Sequence, residues 1–176
     1  MVAKSLLRRK VVVFIILLIP ICVFSQHLEL VKEIEARLRT ETSQNGRVDL
    51  LIDLGWEWLF ADLAKAQQYA TEADSILRDL DYEKGIGNCA VLLGSIEKNR
   101  GNCSGAEKHY QAALKIRSKL GDRAGVASCY NNMARCFKAN NNFDQAIKFF
   151  QMGIDMLEEA NIIKTRATLM NNLAAC

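Results

Sequence analysis

Asp49, Asp53 and Glu57 stand four residues apart, which on a helix lines three carboxylates along one face. A pair of carboxylates does acid–base chemistry when its surroundings push two pKa values apart in a cleft. No neighbouring residue supplies that asymmetry, and an exposed or groove-facing acidic edge is expected instead. His27 and His109 stand alone in the sequence. Cys89, Cys103, Cys129, Cys136 and Cys176 form no CxxC pair and no Cys/His cluster with metal-ligand spacing. Nucleophile motifs and phosphate loops are missing too. The expectation is a chain without catalytic residues, cofactor or metal.

The cysteines follow a different rule. Cys89 and Cys129 are forty residues apart, as are Cys136 and Cys176. The same shift lays Ala106, Tyr110, Ala113 and Ile116 on Ala146, Phe150, Gly153 and Met156, and Leu93-Gly94 on Met133-Ala134 and then on Leu173-Ala174. Periods of this size belong to stacked helical hairpins, where one unit cannot bury its own apolar face and its neighbours do so. Small residues (Gly55, Gly94, Ala134, Ala174; Ala66, Ala106, Ala146) mark close helix approach, and Tyr110 and Phe150 fill the space between hairpins. Cysteine at repeat-equivalent places reads as small buried packing rather than as disulfide or metal chemistry.

Taken in order, residues 1–25 read as a signal peptide. Lys4, Arg8, Arg9 and Lys10 precede an unbroken apolar run from Val11 to Phe24, with a plausible cut after Ser25. That run reaches roughly 21 Å at ~1.5 Å per residue, short of the ~30 Å hydrocarbon layer. Cleavage and export to the periplasm or beyond are expected, with a membrane association only if the leader is uncut or a further segment spans. Residues 26–46 hold a packing helix, with Leu30, Val31, Ile34 and Leu38 at helical spacing, and a linker. Repeat one spans 47–80, repeat two 81–120 and repeat three 121–161. Residues 162–176 are the first helix of an incomplete fourth.

Turn residues recur in register. Ala61-Asp62, Gly101-Asn102 and Asn141-Asn142 stand between the helices of each hairpin, where Gly or Asn accepts a left-handed conformation and Asp or Asn caps the next helix. Asp81, Gly121 and Asn161 occupy the turn between hairpins and are all types that accept positive φ.

The chain has 176 residues, half of them hydrophobic, and a formal charge of +3. Removing the four leader bases from the total of 23 leaves 19 basic against 20 acidic side chains, so no electrostatic case for nucleic acid exists.

Tyr130, Met133-Ala134, Phe137, Ala146, Phe150 and Gly153 resemble the tetratricopeptide repeat pattern. Leu93-Gly94, Ala106, Tyr110 and Ala113 repeat it, although Ala90 and Glu97 take the two aromatic positions. Repeat one is a residue shorter, with Ala70 at the large position. The forty-residue length is also similar to the longer repeats of kinesin light chains and bacterial sensor proteins. The resemblance covers 47–176 and implies an all-α fold, an α-solenoid of antiparallel helix hairpins wound as a right-handed superhelix, with about three and a half repeats.

It also implies a concave groove lined by the first helices, which takes protein or peptide ligands. In this register the groove presents Asp49, Ile52, Asp53 and Trp56, then Asn88, Val91, Ser95 and Lys98, then Ser128, Asn131, Asn132, Arg135 and Lys138, and last Thr168, Asn171 and Asn172. The amides, which can bond an extended backbone without demanding a sequence, make Asp53, Trp56, Lys98, Asn131, Asn132, Arg135, Lys138, Asn171 and Asn172 the candidate peptide-binding set. The same amides could also simply solvate a helix face. A clamp for the carboxylate tails of chaperones is not expected, because the converging bases are too few.

Three readings remain open on the sequence: a non-catalytic binding scaffold; the exported sensory region of a bacterial histidine kinase or transcriptional regulator, whose N-terminal layout the leader, short helix and degenerate first repeat resemble; and self-association through Leu169, Met170, Leu173 and Ala174 at the C-terminal end. The second reading carries the expectation that the chain is a fragment of a longer protein.

Overall fold

The computed structural model describes residues 26–159 and 163–176. The chain divides into two compact units, Met1–Thr40 and Glu41–Cys176. In the first, residues 26–40 are helical (α1). Lys32 pairs with Glu29 at 2.8 Å along that helix, Val31 and Ile34 are buried, and Leu30 is exposed. The leader lies outside the described residues.

The second unit consists of α2 (Gln44–Trp58), α3 (Leu63–Leu77), α4 (Glu83–Asn99), α5 (Cys103–Lys119), α6 (Arg123–Ala139), α7 (Phe143–Glu159) and α8 (Ile163–Ala174). Among the described residues there is no strand. The strongest packing joins α2 to α3, α4 to α5 and α6 to α7, giving three hairpins. The second helix of each then packs on the first helix of the next, and the first helices α2, α4 and α6 also touch in sequence. The result is an all-helical solenoid.

One residue does two jobs at each of three turns. The backbone N–H of Asn102 donates to Glu97 O, that of Asp122 to Arg117 O and that of Asn142 to Phe137 O, each at 2.9 Å, closing the preceding helix. Their side chains then accept from Gly105 N at 3.0 Å, Gly125 N at 2.8 Å and Gln145 N at 3.3 Å, opening the next helix. The residue before each lies in the left-handed region: Gly101 at φ 80°, Gly121 at φ 70° and Asn141 at φ 58°. The first repeat departs from this plan. Asp62 still caps α3, accepting from Ala64 N and Lys65 N, but neither Ala61 nor Asp81 has positive φ. The expectation for Asp81 therefore fails: after α3 the chain turns with a bond from Tyr82 N to Leu80 O at 2.9 Å. Asn161 lies outside the described residues.

Tyr110 and Phe150 are fully buried, as the small/large pattern requires. Tyr110 shares a cluster with Ala106, Ala113, Cys129 and Met133. Phe150 packs with Ala134 and Ala146 under Phe137, Phe149 and Leu173. Cys89, Cys103, Cys129 and Cys136 are buried free thiols and Cys176 is exposed.

Candidate functional site

The nine residues of the candidate set stand on four helices, and none of them is fully buried. Asp53 and Trp56 are exposed on α2 and Lys98 is half-buried on α4. On α6, Arg135 is exposed while Asn131, Asn132 and Lys138 are half-buried; on α8, Asn171 is exposed and Asn172 half-buried.

Two contacts knit part of this set together. Asn172 Nδ2 donates to Asn131 Oδ1 at 2.8 Å, joining α6 to α8. Lys138 Nζ donates to the carbonyl of Ala175 at 2.6 Å, three residues beyond. On α4, burial holds the Lys98 amine below the usual lysine range, and the Arg135 guanidinium on α6 lowers it further. Asp53 and Trp56, on α2, are joined to the other seven by none of these ties.

Other positions expected to face the groove do not. Ile52, Val91 and Ser95 are buried. Ser95 turns to its own hairpin instead, its hydroxyl 3.2 Å from Tyr110 Oη. Asp49 is engaged as well: Tyr82 Oη donates to its carboxylate at 2.9 Å, and burial together with this bond pushes the Tyr82 phenol up to about 12. The first of the three spaced carboxylates is thus an anchor for the chain entering α4.

Arg117 is the residue that sequence reasoning missed. Its Nη2 donates to Asn88 Oδ1 at 3.0 Å and its Nη1 to the carbonyl of Gly125 at 3.1 Å, so one α5 side chain holds both α4 and α6. Its spacing was the signal, since Ala106, Tyr110, Ala113 and Arg117 form one helical stripe, and an arginine there has to find partners inside the stack. Near the first hairpin turn, the Lys65 ammonium lies 3.8 Å from the ring centre of Trp58, a cation–π contact.

Among the described residues no group of three or more His, Cys, Asp or Glu is placed to hold a metal ion, and no helix is long and apolar enough to cross a membrane. The solvent-accessible candidates are four amides, one carboxylate, three bases and an indole.

The tetratricopeptide repeat family model matches residues 88–159. Solved structures share the fold at low identity. A Rap protein complexed with Competence and Sporulation Factor aligns over 85% of this chain and 43% of its own, with 15% identity and a TM-score of 0.76. Aspartyl phosphate phosphatase F from Bacillus subtilis aligns over 77% and 36%, with 18% identity and a TM-score of 0.69. A signal transduction ATPase with a tetratricopeptide repeat sensor from Pyrococcus horikoshii aligns over 84% and 23%, with 17% identity and a TM-score of 0.71. The chain thus spans less than half the length of each of these three. A search of curated proteins found no match.

Proposed function

We propose that the chain is a non-catalytic scaffold whose first-helix face binds a protein or an extended peptide. The observation that carries this reading is the α6–α8 surface, where Asn131, Asn132, Arg135, Lys138 and Asn172 crowd together while keeping solvent access. Amides there can meet a peptide backbone, and Arg135 with Lys98 can meet an acidic group of the ligand. A structural relative that was solved with Competence and Sporulation Factor supports the reading by analogy of fold. The test is a display library of short unstructured peptides panned on the folded chain. Enriched peptides should lose affinity for a chain carrying both Asn132→Ala and Arg135→Ala; no enrichment, or retention by that variant, contradicts the reading.

A second reading is favoured by the similarity to a sensor-bearing signal transduction ATPase: the same binding face would be the sensory part of a longer signalling protein. An open reading frame that continues past Cys176 into a membrane helix and an output domain decides for it. Export rests on the leader alone, and N-terminal sequencing of mature protein that begins near Gln26 would support it; an N-terminus at Met1 would not.

A further inference from the structure

We propose that Cys103 and Cys136 are a redox-responsive pair that closes into a disulfide and fastens the second hairpin to the third. Cys103 is the first residue of α5 and Cys136 lies in the last turn of α6. Cys103 Sγ donates to the carbonyl oxygen of Cys136 at 3.5 Å, and both residues belong to one buried cluster and line one cavity. A disulfide needs its two cysteines already side by side, and this pair bridges two helices that pack together.

Packing alone does not call for sulfur at these places. Shifting the two positions back by one forty-residue period gives Leu63 and Ile96, and shifting them forward gives Phe143 and Cys176. At the α5–α6 contact both positions are cysteine. Cys89 and Cys176 also donate to backbone carbonyls, but to those of Ala70 and Asn172 rather than of another cysteine, and neither they nor Cys129 line the cavity that Cys103 and Cys136 share.

The pair lies a short way beneath the surface. The pair lines a cavity of about 130 Å³ with Met133 and Phe137, and Ser104 and Asn140 on its wall are exposed. Cys103, at the start of α5 beside exposed Ser104, gives up its proton and makes the first attack. Its thiolate attacks one sulfur of oxidised glutathione, giving a mixed disulfide and one glutathione thiolate, which takes up a proton. Cys136, giving up its proton, then attacks the Cys103 sulfur and expels the second glutathione as a thiol. Two protein thiols are oxidised to one disulfide, and one glutathione disulfide is reduced to two thiols.

This inference is independent of the proposed ligand. The experiment equilibrates the full chain under native conditions in glutathione buffers running from reduced to oxidised, quenches with acid, alkylates and maps the peptides. Expected are a mass lower by two hydrogens, one cross-linked peptide joining Cys103 to Cys136, reversal by reduced glutathione, and a higher melting temperature for the oxidised form. Cys103→Ser and Cys136→Ser should each abolish the mass loss. Mapping of the wild-type chain decides the matter even if a variant fails to fold. Full alkylation of both thiols after oxidised glutathione, a mixed disulfide that persists on Cys103, or cross-links to Cys89, Cys129 or Cys176 overturn the proposal.

Discussion

Gly94 lies directly against the ring of Tyr110: a β-carbon at residue 94 would stand 2.6 Å from Cε1 of that ring, closer than real side chains approach. The fully buried ring cannot swing aside, because its hydroxyl is also held by Ser95. A single absent methyl therefore sets the spacing of α4 and α5. Gly94→Ala should lose about 1–3 kcal/mol through overpacking. Urea denaturation checks this, and a variant as stable as wild type would mean that the hairpin has room which the geometry denies.

Phe150 occupies the equivalent position in the third hairpin, fully buried between Ala134 and Ala146. Phe150→Ala should cost about 3–5 kcal/mol, the range for emptying a buried aromatic site. An unchanged melting temperature would remove the register on which the three hairpins are aligned.

These two positions were legible in the sequence because a forty-residue period repeats helix faces, and faces decide burial. The turns at Gly101, Gly121 and Asn141 were legible for the same reason: only a few residue types tolerate positive φ. Asp81 misled, since a residue type that accepts a left-handed conformation does not demand one. The candidate groove was legible only in part. Ile52, Val91 and Ser95 share the register of groove positions, yet all three are buried, and Ser95 bonds Tyr110 within its own hairpin, packing that the repeat period does not encode. Contacts such as Arg117 to Asn88 or Tyr82 to Asp49, between residues 29 and 33 positions apart, depend on side-chain reach rather than on period.

Arg117 carries a prediction of its own. Its side chain is 14% exposed and also lies 3.9 Å from the Asp122 carboxylate. Arg117→Met keeps much of the bulk but removes two charge-assisted hydrogen bonds, and should lose about 1.5–3 kcal/mol. Chemical denaturation that shows a loss below about 0.5 kcal/mol, the scale of ordinary surface changes, would reduce Arg117 to a bystander.

Stability should fall at high pH. Burial, opposed by the Arg117 charge, pushes the Cys129 thiol from its ordinary value of 9.0 up to about 11. The folded state thus holds that proton more tightly than the unfolded state. Below pH 9 the contribution is fully present; as pH rises from about 9 to 11 the unfolded chain ionises first and the contribution is lost. Cys89, pushed up to about 12, extends the decline. Denaturation midpoints across this range should fall in wild type and fall less steeply in Cys129→Ala. Parallel curves for the two proteins would contradict the assignment.

The binding account stands or falls on the α6 surface. A peptide selected on the folded chain should be titrated calorimetrically against wild type and against the variant carrying both Asn132→Ala and Arg135→Ala. Two lost contacts of about 0.5–1.5 kcal/mol each predict binding weaker by about fivefold to a hundredfold, with an unchanged melting curve because neither side chain is part of the core. Equal affinity for the two proteins would contradict the proposal that this face is where the ligand sits.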